Sequence, residues 1–497
     1  MTFSSPTIEK YSSEEKKING YSIIAFSFFC VIVIGYILLG LTLPFFIALI
    51  ICAIFFFLPS SGFFALICIM GLTMFFEKTF ALQPIIIGET AYKLYPIDAL
   101  MTVAFAMMIF DFFKNKFFLK LKLKKYLPEI VFIIFLGFVV ITMTRSFGDL
   151  NANFATAFSS FKNYLWYPLI YFFTIYAIDS REKLEEFIKI FLIFSIGLIG
   201  FIAFGLITGQ GLWTEYTPLS TEGIRILGFS HAFYLTIALI ISLSLLASKK
   251  FNNFLLTFAL IIIWFIGIIG SLMRHLWLGL ILAIALLFIV SSLKEKKFLS
   301  GLFSKISIII VCILLAIILL FNILPNFSNQ ASFNNLWETA SSRAVSIFKT
   351  EDDTSINWRM GLWSDAIYRW KTSPIWGIGF GKTLSLETAN WHAFEDVKNI
   401  HNSPLAIIVQ MGIIGIAALT IFILSVIWSG MKLIKKDNEL KAYYAGILCS
   451  IALFIFASFF QPYLETNMMS IFFWILLGLF STSRFILKNK NENTSNK

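Results

Sequence analysis

The sequence predicts an all-α, polytopic integral membrane protein of about 14 transmembrane helices (12–14), with one long external loop containing short helices. Three observations carry this. Of 497 residues 58% are hydrophobic and only 13% charged, where a soluble domain carries about 25% charged. The 67 charged residues stand in short islands between apolar runs, too few to coat a globule of this size. Alternate islands also differ sharply in their Lys and Arg content, as loops on opposite sides of a membrane do. The same composition excludes a disordered chain, a collagen-like chain and a disulfide-stapled secreted domain.

Runs of about 17 to 25 apolar residues can cross a hydrocarbon core about 30 Å thick as helices. Here they fall at 21–39, 41–58, 62–76, 97–113, 128–144, 161–178, 187–208, 227–247, 253–270, 276–293, 303–323, 402–428, 442–460 and 466–482. The first three are closely spaced and the third is short, which is why 12 or 13 spans also fit. The first run follows a polar tail and is followed at once by another, unlike a cleavable signal.

Placing the N-terminus in the cytoplasm puts 26 of the 39 Lys and Arg inside, in the N-tail, the 114–125, 181–189, 249–250, 294–305 and 432–441 segments and the C-tail. Seven of the other 13 lie in one long outer segment. This bias orients the chain with both termini inside and explains the net charge of +11 without nucleic acid. The expected organisation is a cytoplasmic tail at 1–20, helices 1–11 over 21–323, an external loop over 324–400, helices 12–14 over 401–483 and a second tail at 484–497. Both tails read as disordered. No repeat of fixed period is evident.

Outer loops as long as 324–400 usually carry function. This one holds six of the twelve Trp: Trp337, Trp358, Trp363, Trp370, Trp376 and Trp391. Such rings stack on sugar faces or form an interfacial belt. Residues 357–370 read as a helix with Trp363, Ala366, Ile367 and Trp370 on one stripe, stopped by Pro374, and WGIGFGK reads as a glycine-flexed turn.

Cys30, Cys52, Cys68, Cys312 and Cys449 all lie in apolar runs and read as small hydrophobes. His231, His275, His392 and His401 have no metal-ligand spacing, and neither a D-x-D motif, a Walker loop, a dinucleotide fingerprint nor a serine elbow occurs. We therefore expect no metal and no cofactor. Energy for a reaction would come from an activated, membrane-resident donor such as a polyprenyl-diphosphate glycan.

Ionisable groups beside a membrane are costly and mark sites. Mid-span charges look nearly absent, and those at the outer face are Arg145, Arg225, Arg274, His275, Arg359, Arg369 and His401. Arg274 lies in a very short turn between two apolar runs, where it either snorkels to lipid phosphate or grips a substrate phosphate with its planar fork. His401 stands where the long loop re-enters the membrane; it is either structural or a general base, since neutral imidazole can take a proton from a hydroxyl.

Four segments resemble the O-antigen ligase and polymerase superfamily of bacterial membrane glycosyltransferases. GSLMRHLWLGL resembles its Ser-x-x-Arg segment, WRMGLWSDAIYRWKTSPIWGIGFGK its Arg, Trp and Pro-x-x-Gly-x-Gly pattern, IHNSPLAIIVQMGIIG its His-Asn and Gly-x-x-Gly re-entry, and RILGFSHAFYL an upstream Arg-x-x-Gly segment. Together they span roughly 225–415. The resemblance implies metal-independent, inverting transfer of an oligosaccharide from undecaprenyl diphosphate to an acceptor hydroxyl at the outer face of a bacterial inner membrane. It implies His401 as base and Arg274 and Arg359 as the arginines on the diphosphate, with Arg225 a looser match. His275, Arg145, Arg369 and Trp363 are the further expected substrate contacts.

The expected activity is polymerisation of lipid-linked surface polysaccharide, with a chain-length regulator as a further partner. Alternatives are ligation of glycan onto lipid A core and oligosaccharide transfer to a protein. A transporter would instead place ionisable groups at mid-membrane.

Overall fold

The computed structural model describes residues 43–55, 61–75, 84–87, 90–92, 94–115, 127–148, 152–208, 229–250, 254–271, 273–323, 354–388, 391–434 and 440–495. The N-terminal tail, the first apolar run, Arg225 and the start of the long loop, 324–353, lie outside them. Six described helices are long and apolar enough to cross a membrane: Pro96–Phe113, Leu127–Gly148, Ser230–Ala247, Ser403–Met431, Lys441–Ser458 and Asn467–Ile486.

In chain order the helices are α1 (Leu43–Phe55), α2 (Ser61–Phe75), α3 (Pro96–Asn115), α4 (Leu127–Gly148), α5 (Phe154–Phe161), α6 (Ile170–Ala177), α7 (Arg181–Thr208), α8 (Phe229–Ala247), α9 (Phe254–Gly270), α10 (Arg274–Val290), α11 (Leu293–Ile323), α12 (Thr354–Trp370), α13 (Ser403–Ile434), α14 (Lys441–Ser458) and α15 (Asn467–Ser495). The apolar span of α8 is buried along its whole length, and that of α15 nearly so, whereas those of α4 and α13 are only about half buried. Thus α8 and α15 are central. Neighbours wrap them: α8 packs on α9 and α14, and α15 packs on α6 and α13.

The core between α4, α13 and α15 is aromatic. Phe132 stacks on Phe422 at 4.6 Å, and Trp474 lies 5.3 Å from Phe132, in offset arrangements that add to the burial of their large surfaces. On the outside, Ile133, Ile134, Val140 and Ile141 of α4 and Ile421, Leu424 and Trp428 of α13 are exposed. An apolar exterior of this kind suits lipid rather than water.

Several expectations need correction. The 161–178 run is not one continuous α-helix: a π-helical turn at Lys162–Trp166 and a 3-10 turn at Tyr167–Leu169 separate α5 from α6. Pro168 lacks the N–H that a continuous ladder needs. The 294–305 segment belongs to α11, where Leu299 and Leu302 are buried, and the 181–189 segment begins α7. The C-terminal stretch continues α15 as far as Ser495, no Pro or Gly interrupting it after Gly478. Two short antiparallel hairpins also occur, β1 (Ile85–Ile87) with β2 (Thr90–Tyr92) and β3 (Thr383–Thr388) with β4 (Trp391–Asp396).

Charge is also less scarce inside the bundle than the sequence suggests. Arg484 of α15 forms an ion pair with Glu129 of α4, joined by the Tyr171 hydroxyl, and Lys162 pairs with Asp98 of α3. All four charged groups are buried. Each finds its opposite on another segment, which offsets the cost of taking it out of water. Glu129, Asp98 and Arg484 lie within three residues of the ends of their apolar spans, so the middle of those spans stays apolar.

Candidate active site

The segment that follows α12 ends at α13, whose Ser403–Met431 stretch is long and apolar enough to cross a membrane. Asn402 caps that helix: its Oδ1 accepts from the Leu405 N–H at 3.0 Å and its carbonyl from the Ala406 N–H at 2.9 Å. His401 therefore stands just outside the first turn. Its φ of 55° lies in the left-handed region, costly for a residue with a Cβ and held only where the surroundings enforce it.

Three contacts enforce it. The Trp363 indole N–H donates to the Ile400 carbonyl at 2.7 Å, fixing the chain one residue earlier. The Trp358 ring meets the His401 ring edge-on at 5.4 Å. Gln461, in the turn between α14 and α15, has its Oε1 2.9 Å from His401 Nδ1. An amide oxygen only accepts, so Nδ1 carries the proton and Nε2 keeps its lone pair. Burial holds the His401 pKa below its usual value, and the positive charge of Arg359 lowers it further, against the Gln461 hydrogen bond. A neutral imidazole with Nε2 as the basic atom is the form suited to accepting a proton at neutral pH.

The same α14–α15 turn gathers a second predicted group. His275, in the first turn of α10 directly after Arg274, has Nε2 2.9 Å from the Tyr463 hydroxyl. Burial raises the Tyr463 pKa and Arg359 opposes this, so the Arg359 charge acts on both Tyr463 and His401. His401, Arg359 and His275 thus converge on one turn, and Arg274 opens the helix that His275 ties to it.

Two predicted residues go elsewhere. Arg145 donates from Nη1 to the Trp376 carbonyl at 3.1 Å and lies 5.6 Å from that ring. Arg369 pairs with Asp365 one turn earlier in α12. The α12 stripe is also revised, since Ile367 is exposed while Leu362 and Ala366 are buried.

The two glycine motifs form one joint. Gly412, at φ 66°, kinks α13 and leaves carbonyls of the preceding turn without helical partners. The Val409 and Gln410 carbonyls instead accept from Ile378 and Gly379 at 2.9 and 3.1 Å, while the Ile413 N–H donates to the Pro374 carbonyl at 3.0 Å. A Cβ at Gly377 would overlap Gln410 backbone, and one at Gly412 the Ile375 carbonyl. Gly377, Gly379 and Gly381 all have positive φ, as the flexed turn requires.

Gln461, Tyr463 and Glu465 were not among the expected site residues. Their signal was a polar QPYLET turn between two apolar runs, but nothing local in it points to His401, about 60 residues upstream.

Residues 258–420 match a family model described as O-antigen ligase. The match spans Arg274, His275, Arg359, Trp363, Arg369 and His401 and leaves out Arg145 and the α14–α15 turn. An uncharacterized protein of Haemophilus influenzae is 26% identical over 354 residues, which cover 63% of this chain and 84% of that protein. The family match covers three of the four segments that carry the sequence resemblance, and over residues 258–420 the chain is similar to the O-antigen ligase family.

Proposed function

We propose that this chain is a glycosyltransferase that polymerises lipid-linked surface polysaccharide at the outer face of a bacterial inner membrane. His401 carries the reading: it stands next to the first turn of α13 with Nδ1 engaged by Gln461, and burial and the Arg359 charge favour its neutral form, which supports Nε2 as the base. In the proposed step an acceptor sugar hydroxyl loses its proton to Nε2 as its oxygen attacks the anomeric carbon of the donor. The bond from that carbon to the diphosphate breaks with inversion, and undecaprenyl diphosphate leaves. Arg274 and Arg359 stabilise the charge developing on the departing oxygens, Arg being suited to this by its fixed charge and two-pronged geometry. The sequence has about 14 apolar runs where the resemblance implies about twelve for a ligase, which favours a polymerase.

A second reading is ligation of finished glycan onto lipid A core, which the description of the matching family favours. Analysis of glycan lipids in a host carrying His401→Ala separates the two. Single repeats without long chains indicate a polymerase; long chains stranded on undecaprenyl diphosphate indicate a ligase. An unchanged profile overturns both and favours a transporter.

A further inference from the structure

Glu465 is a buried carboxylate that the proposed chemistry does not use. One carboxylate oxygen accepts from the Tyr164 hydroxyl and the other from the Ser403 hydroxyl. Ser403 is the first residue of α13, two positions after His401, and its Oγ also accepts from the Leu464 N–H at 3.1 Å. Asn163 donates to the Glu465 carbonyl. Glu465 therefore joins three segments: the start of α13, the turn that carries Gln461, and the π-turn at Lys162–Trp166.

The π-turn explains why these groups meet. Successive residues Lys162, Asn163 and Tyr164 all face buried polar partners there, namely Asp98, the Glu465 carbonyl and the Glu465 carboxylate. An ordinary α-turn spreads three consecutive side chains over most of the helix circumference, and π-turns recur at functional sites. Two of the elements that orient His401, the start of α13 that follows it and the turn that carries Gln461, are joined through Glu465 and Ser403.

We propose that Glu465 is a positioning residue for His401, holding the α13 start and the Gln461 turn together so that Nε2 faces the acceptor. The proposal rests on the reading of His401 as base. Burial pushes the Glu465 carboxyl up to about 7, against its hydrogen bonds from Ser403 and Tyr164 and the nearby Lys398 charge. Around neutral pH and above, ionised Glu465 can accept both hydroxyls, as the clamp requires. Lys398 itself donates to Ser159 at 2.7 Å, and Arg359 and His275 lie across the turn, beside His401 and Tyr463.

The test uses full-length protein with ¹⁵N-labelled histidine in lipid nanodiscs, the His401 signal assigned by its loss in His401→Ala. Wild type is expected to show His401 as the neutral Nδ1–H tautomer at pH 8. Glu465→Gln should mix the tautomers and lower kcat by about 10²-fold, with donor KM nearly unchanged, because misplacing a catalytic group by about 1 Å costs on that order. Tyr164→Phe removes one hydroxyl and should cause a smaller loss of the same kind, which serves if Glu465→Gln fails to fold. A wild-type tautomer and kcat in folded Glu465→Gln, or in Tyr164→Phe should Glu465→Gln not fold, overturns the proposal. If the tautomer shifts in Glu465→Gln while His401→Ala still transfers glycan, positioning stands and the base assignment falls.

Discussion

His401 Nδ1 lies 2.9 Å from Gln461 Oε1, across the gap between the start of α13 and the α14–α15 turn. That single contact selects the ring tautomer, while burial and the Arg359 charge favour the uncharged ring. Both effects disfavour the imidazolium, so the neutral base is present above pH 6.5 and is lost only as pH falls through a folded-state value below 6.5. Titration of the His401 ring by NMR should place its midpoint below 6.5. In Arg359→Met the midpoint should rise, because a positive charge that opposed protonation is gone. A fall, or no change, would remove Arg359 from the vicinity of the base.

Gln461→Ala should leave the fold intact and lower turnover by about tenfold or more, since the ring then turns freely and the productive tautomer is no longer enforced. Steady-state kinetics should show the loss in kcat, with donor KM little changed. Gln461→Glu goes the other way on charge: a carboxylate beside Nδ1 stabilises the imidazolium and moves the acid limb of the rate profile to higher pH.

Arg274 opens α10, beside the His275 that bonds Tyr463. Arg274→Lys keeps the charge and loses the planar fork, so glycan transfer should fail while the protein accumulates normally. Equal activity with Lys would mean that the position needs only a positive charge at the membrane surface.

The helix and the glycine turn beside this site are legible in the chain because their signals are local. The helix expected at 357–370 is observed as Thr354–Trp370, and the glycines of WGIGFGK do take the positive φ that a flexed turn requires. The partners of the local signals were not legible. Nothing near Gln461 in sequence indicates that it meets His401, nor does any pattern announce that Glu129 pairs with Arg484, 355 residues later. The sequence alone places Arg484 in the C-terminal tail, because a charge in an isolated sequence reads as solvated until a partner is seen. The π-turn escaped for a related reason: an apolar run reports burial, and Pro168 marks only that the helix must adjust, not how.

The Pro374–Gly379 turn and the Gly412 kink depend on each other, which makes Gly412→Ala a severe change. A Cβ there would meet the Ile375 carbonyl, and φ 66° is itself unfavourable for alanine. The expected destabilisation is at least about 2 kcal/mol, from strain together with lost turn-to-helix hydrogen bonds. It should be visible as a lowered Tm in detergent. A Tm equal to wild type would mean that the turn does not seat on α13.

The Glu129–Arg484 pair offers a test of how the bundle tolerates buried charge. Arg484 donates to Glu129 at 3.0 Å through Nη1 and engages the other carboxylate oxygen through Nη2, with Tyr171 completing the group. Removing one partner strands a buried charge, so Arg484→Met should cost about 3–5 kcal/mol. Replacing both, as Glu129→Leu with Arg484→Met, removes the desolvation cost along with the attraction and should return most of that loss. The comparison is read from Tm and from detergent-resistant yield. If the double variant is no more stable than Arg484→Met, the pair specifies the docking of α15 on α4 in a way that apolar packing cannot replace.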